Sequence, residues 1–64
     1  MNNGVISILK GLYFGAVLNY VSTLDGHRTR CVYVRENDGR PVVLFLNADR
    51  VARVDYECLE WHRR

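Results

Sequence analysis

Lysine, proline and cysteine are all scarce in this chain, and neither its acidic nor its basic residues form a long run of like charge. Its 64 residues include one proline, two cysteines and nine basic residues, of which only Lys10 is a lysine and eight are arginines. Seven acidic residues leave a net charge of +2, which is too small to predict a polyanionic partner by itself. With 48% hydrophobic residues and no low-complexity tract or repeat, disorder is not expected. We therefore predict one small domain over residues 1–64.

The sequence contains two cysteines but no recognisable export signal. Cys31 and Cys58 could form a stabilising disulfide, because a chain this short buries only about 60% of its unfolded surface. The first residues lack the basic segment and the small-residue cleavage site of a signal peptide. A membrane span over residues 5–21 would bury Lys10 and Asn19 near its middle. We expect a cytoplasmic protein with reduced thiols and no membrane association.

Three turn signals divide the centre of the chain. Asp-Gly pairs occupy residues 25–26 and 38–39, and a polar segment occupies residues 47–50. Asp-Gly between apolar runs is a strong hairpin signal, because Gly adopts positive φ without a steric clash. A two-residue loop at 25–26 would set Leu18 opposite Tyr33. The pattern predicts four antiparallel strands, at residues 16–23, 28–36, 41–46 and 51–58.

The two ends of the chain allow more than one interpretation. Apolar residues at positions 5, 8, 9, 12 and 13 have helical spacing, so we predict a short helix over residues 5–13, although this run also suits a strand. Residues 51–58 alternate strictly, which favours a strand, whereas a helix from Asn47 is the alternative. The predicted fold class is α+β and mostly β: a short N-terminal helix followed by a four-stranded antiparallel meander, strongly bent or small-barrel-like.

The predicted strands are apolar on both faces. Strand three, residues 41–46, has no polar break, which is typical of a strand covered on both sides. One predicted face comprises Val17, Val21, Val32, Val34, Val43, Phe45, Ala52, Val54 and Tyr56, and the other comprises Leu18, Tyr20, Cys31, Tyr33, Leu44, Leu46 and Val51. One helix covers only one face, so we expect the other to line a barrel or to pack against a second copy or a partner.

Residues that carry chemistry are present but badly spaced for it. His27 with Cys31, and Cys58 with His62, are zinc-ligand types, but residues four apart on a strand are separated by about 13 Å. The carboxylates form no close pair for acid-base catalysis, and the dispersed glycines form no phosphate loop. We expect no metal, no cofactor, no catalytic residue and no enzymatic activity.

Arginines and aromatic residues carry the remaining functional signal. Arg offers a planar fork for carboxylates and phosphates, and Tyr, Trp and Arg are enriched at protein interfaces. The predicted interface residues are Tyr20, Arg28, Arg30, Tyr33, Arg35, Arg53 and Trp61. We predict a small non-enzymatic regulatory or adaptor module that forms homo-oligomers and binds a protein partner through this surface. The alternative is a nucleic-acid-binding sheet or barrel on which bases stack.

Two partial resemblances accompany this pattern. Residues 19–30, Asn-Tyr-Val-Ser-Thr-Leu-Asp-Gly-His-Arg-Thr-Arg, resemble the first hairpin of WYL regulatory domains, although the Trp-Tyr-Leu signature is absent. The predicted order of a short helix and a meander is similar to that of Sm-like barrels. Both resemblances imply a small barrel, and neither implies a particular function.

Overall fold

An open antiparallel sheet dominates the computed structural model, which describes residues 11–62. Its strands are β1 (Val17–Val21), β2 (Arg28–Asn37), β3 (Arg40–Phe45), β4 (Arg50–Arg53) and β5 (Leu59–Trp61). Their spatial order is β4-β3-β2-β1-β5. The first four strands therefore form a meander, and β5 returns to the far edge to pair with β1.

The predicted fold class is wrong in its strand count and in its helix. Residues 51–58 are not one strand: β4 ends at Arg53, a 3-10 turn follows at Tyr56–Cys58, and a fifth strand closes the sheet on β1. The sheet is open, with β4 and β5 as its edges, and is not a barrel. Residues 5–10 of the predicted helix lie outside the described residues, and of the rest only Gly11 is helical.

The physical reason for the fifth strand is burial. Alternation of apolar and polar residues shows that a segment is extended, but it does not identify the partner strand. After β4 the chain crosses the sheet, where Val54 and Tyr56 pack against the core and Cys58 and Leu59 are buried. Pairing β5 with β1 then satisfies backbone groups that a four-stranded meander would leave open at that edge.

The β1–β2 connection is longer than the predicted two-residue loop. It covers residues 22–27, in which the Ser22 N–H donates to the His27 carbonyl and Asp25 Oδ1 accepts from the His27 N–H, both at 2.9 Å. Leu18 therefore lies opposite Cys31 rather than Tyr33. This register differs from the predicted one by two residues, so every side chain of the hairpin keeps its face.

A β-bulge at Val34, by contrast, moves side chains to the other face from the one predicted. Tyr33 pairs with Val43 and Arg35 with Val42, so Val34 has no partner in β3. The turn beyond it, predicted from the Asp-Gly pair, contains only the two residues Asp38 and Gly39, which both have positive φ (53° and 80°). The extra residue exchanges the faces of β3 and β4 relative to the prediction, because side chains alternate with a period of two.

One face of the sheet carries the hydrophobic core, and we call it the core face. Leu18, Cys31, Val43 and Leu59 are its buried cluster. The partly buried side chains packed against this cluster are Leu12, Tyr20, Tyr33, Phe45, Val54, Tyr56 and Trp61. All four aromatic residues of the strands thus pack against the core cluster.

Candidate interaction face

The opposite face carries an exposed apolar band. Val17 pairs with Val32, Val32 with Leu44, and Leu44 with Val51, so the four side chains form one line across β1–β4. Val17 is 41% exposed and Val51 is 55% exposed, whereas the two inner residues are half-buried. Solvent therefore reaches the band, most of all at its two ends.

Arginines flank the band on both sides. Arg30 lies two residues from Val32 along β2, and Arg28 lies two residues further in the same direction. On the other side, Arg35 and Arg53 both pair with Val42, which places the three side chains in one row. The arginine face comprises Val17, Val32, Leu44 and Val51 with Arg28, Arg30, Arg35 and Arg53.

Carboxylates neutralise only part of this positive charge. Arg28 Nε donates to Glu60 Oε1, and Arg53 Nη1 lies 3.9 Å from Asp38 Oδ2, whose side chain is 89% exposed. Within residues 11–62, no carboxylate oxygen comes within 4.0 Å of the guanidinium of Arg30 or Arg35. The arginine face therefore keeps at least two uncompensated cations beside an apolar surface.

A shallow depression lies at the Arg28 end of this face. It has a volume of about 430 Å³, and its lining residues are Asn19, Arg28, Arg30, Leu46 and Asn47. Asn19 and Arg30 are direct partners in the β1–β2 ladder, so an amide and a guanidinium stand side by side. Both groups are hydrogen-bond donors suited to a carboxylate or phosphate oxygen.

The structure brings together only some of the predicted interface residues. The four arginines share the arginine face, whereas Tyr20, Tyr33 and Trp61 pack on the core face. The Tyr20 ring lies edge-to-face against Phe45, with ring centroids 5.5 Å apart. The sheet thus separates the predicted aromatic and arginine groups, because neighbouring residues of a strand point to opposite sides.

Sequence reasoning missed the residues that give the arginine face its apolar band. The sequence pattern predicts Leu44 and Val51 on the same face as Tyr33, and it assigns Asn19 no role in an interface. The period-two pattern correctly placed Val17 with Val32. Only the bulge at Val34 joins Leu44 and Val51 to them, and no Gly or Pro marks that bulge in the sequence.

The thiols and phenols of the core face are poorly suited to chemistry. Both cysteines are free and buried, and burial raises the pKa of the Cys31 thiol to about 11, so it stays protonated near neutrality. Burial also raises the pKa of Tyr20, and the neighbouring Cys58 side chain raises it further. Residues 11–62 contain no cluster of three or more potential metal-ligating side chains.

Comparisons with known protein families, with curated proteins and with solved structures find no match to this chain. The resemblances to WYL domains and to Sm-like barrels therefore gain no support from them. Among residues 11–62, no helix has the length and apolar character needed to cross a membrane.

Proposed function

We propose that this chain is a small non-enzymatic regulatory or adaptor module that binds a protein partner through the arginine face. The observation that carries the proposal is the exposed apolar band between arginine pairs. A desolvated apolar centre with a charged rim is the usual anatomy of a protein interface. Here four paired strands, β1 to β4, provide one continuous surface of this kind.

The position of the aromatic rings favours a protein over a nucleic acid. Modules for single-stranded nucleic acid place bases on aromatic rings inside a positively charged groove. Here Tyr20 and Tyr33 contact the core cluster on the side of the sheet away from the arginines, and of the three predicted rings only Trp61, on the edge strand, also borders a depression lined by Arg28. Aliphatic side chains occupy the centre of the arginine face, and they complement apolar groups of a protein better than the planes of bases.

Two further parts of the proposal concern catalysis and location. The absence of enzymatic activity is supported by the buried, protonated state of Cys31, which removes the most obvious nucleophile. A cytoplasmic location is supported by the two free, buried thiols, which suit a reducing compartment.

Self-association stays a prediction, and the charge distribution limits where it would occur. Stacking two arginine faces would bring uncompensated guanidinium groups together, so we expect copies to meet elsewhere. Tyr13 and Phe14 are 63% and 78% exposed and offer a second apolar surface. Sedimentation at high micromolar concentration checks this prediction, and a stable monomer would contradict it.

Affinity capture tests the proposed function. The immobilised full chain is exposed to an extract of the cells that make it, with and without nuclease, beside a Val51→Asp variant. We expect a discrete protein that survives nuclease treatment and is lost with Val51→Asp, because a buried carboxylate would interrupt the apolar band. Val51 is 55% exposed, so its substitution leaves the core intact.

The matched control is Leu24→Asp. Leu24 is 94% exposed in the β1–β2 connection and lies off the arginine face. Like Val51→Asp, this substitution replaces an aliphatic side chain by a carboxylate, but away from the apolar band. We expect Leu24→Asp to retain the protein as the unmodified chain does. Equal retention by Val51→Asp, or recovery of nucleic acid alone, would overturn the proposal.

A further inference from the structure

We infer that the segment bound by the arginine face is acidic and amphipathic, with one carboxylate seated in the depression beside Arg30. This inference rests on the proposed function and adds the chemistry of the partner. Its basis is charge complementarity. Arg30 and Arg35 lack a carboxylate among the described residues and stand on either side of the apolar band.

The spacing of the arginine face matches an alternating segment. Arg30 and Arg53 lie about 7 Å from the band along their strands, since two residues rise about 3.3 Å each. A bound segment with apolar side chains over the band and carboxylates on both flanks would meet complementary groups in all three rows. A segment that is acidic but lacks apolar side chains would leave Val17 and Val51 exposed.

The depression gives one carboxylate a defined position. The Arg30 guanidinium and the Asn19 and Asn47 amides supply donors there, and Leu46 supplies an apolar wall. Arg28 lines the same depression but is already bonded to Glu60. Arg30 is therefore the cation that is free to form a two-bond contact with a carboxylate, a geometry that the guanidinium fork favours.

Two other occupants fit less well. A second copy would set the uncompensated charge of Arg30 and Arg35 against that of the same residues. The chain's own residues 1–10 join the described part at Gly11, which lies against the Trp61 ring on the core face. Residues 1–10 also contain no Asp or Glu, whereas an acidic segment of another protein supplies the carboxylates without a charge conflict.

A displayed library of random peptides tests the inference without knowledge of the partner. Peptides are selected on the full chain after depletion on the Val51→Asp variant. We expect the selected peptides to be rich in Asp and Glu interleaved with apolar residues. Their affinity should fall about tenfold or more with Arg30→Glu, because a like charge then faces the peptide carboxylate.

Arg50→Glu is the matched control for charge. Arg50 is exposed, but it pairs with Phe45 and so belongs to the core face. We expect this variant to change peptide affinity less than about twofold, since it makes the same change of net charge on the other side of the sheet. Circular dichroism of both variants confirms that they are folded.

Each outcome of the selection has a distinct meaning. Selected peptides that depend on Val51 but carry no acidic excess would overturn this inference and leave the proposed function standing. Equal losses with Arg30→Glu and Arg50→Glu would also overturn it. Failure to select any Val51-dependent peptide would count against this inference and against the proposed function. A single-stranded oligonucleotide that binds more tightly than the peptides, with the same Arg30 dependence, would replace a protein partner by a nucleic acid.

Discussion

Both faces of the sheet carry apolar side chains, but only those of the core face are covered by other parts of the chain. On the core face, Leu18, Cys31 and Val43 are 0% exposed, because the 3-10 turn, β5 and neighbouring aromatic rings cover them. On the arginine face, Val17 and Val51 stay open to solvent. The comparison separates apolar residues that stabilise the fold from apolar residues that are available for binding.

The same distinction applies to charged residues. Within residues 11–62 no polar or charged residue is buried, so the core face gains its stability without ion pairs. The arginine face has exposed cations whose contribution to stability is small. Residues of the arginine face can therefore be changed to test binding while the fold is preserved.

The largest expected effect comes from a neighbouring pair of residues on β1. Leu18→Ala should reduce the free energy of unfolding by about 2–5 kcal/mol, because it removes a fully buried side chain and leaves a cavity. Val17→Ala should cost about 1 kcal/mol or less, since Val17 is 41% exposed. Urea unfolding followed by circular dichroism measures both. Equal losses would contradict the assignment of the two faces.

The second effect concerns the pH dependence of the core face. Burial raises the pKa of the Cys31 thiol from its ordinary value of 9.0 to about 11, so the unfolded chain loses this proton first as pH rises. The contribution of Cys31 is thus fully present below about pH 8.5 and is lost progressively towards pH 11. Urea unfolding between pH 8 and 10 should show stability falling with pH.

The control for this prediction is Cys31→Ala, which removes the titrating thiol. Burial also raises the pKa values of Tyr20 and Tyr56, so the wild-type chain and Cys31→Ala should both lose stability above about pH 10. The difference between the two chains isolates Cys31. A wild-type slope equal to that of Cys31→Ala across this window would show that the thiol does not contribute.

The smallest expected effect lies on the edge of the arginine face. The side chains of Arg28 and Glu60 are 62% and 39% exposed, so solvent and salt screen their ion pair. A double-mutant cycle of Arg28→Ala and Glu60→Ala should give a coupling below about 1 kcal/mol. A larger coupling would mean that this ion pair ties β5 into the sheet and has a structural role.

Sequence reasoning predicted local features better than their arrangement. The Asp38-Gly39 turn was identified correctly, because its positive φ values need residues that the chain supplies there. The hairpin of β1 and β2 kept its predicted faces despite a wrong loop length, since the error was two residues. The bulge at Val34 introduced an error of one residue, and Leu44 changed faces.

The candidate site was predicted only in part for the same reason. Arg28 and Arg30 lie two residues apart on one predicted strand, so alternation alone is enough to predict that they share a face. Tyr20 and Tyr33 were grouped with the arginines by residue type, although their strand positions direct them to the core. The depression around Asn19 and Asn47 joins three different parts of the chain, so no local pattern announces it.

The amino-acid sequence alone determined where the chain turns, that its centre is extended and antiparallel, and that both sides of the resulting strands are apolar. These properties depend on φ preferences and on alternation over a few residues, which are local. Only the tertiary structure decided that a fifth strand returns to β1, that Val34 bulges, and that one apolar side remains open between arginines. Those outcomes depend on competition for burial among distant segments, and local patterns do not resolve that competition.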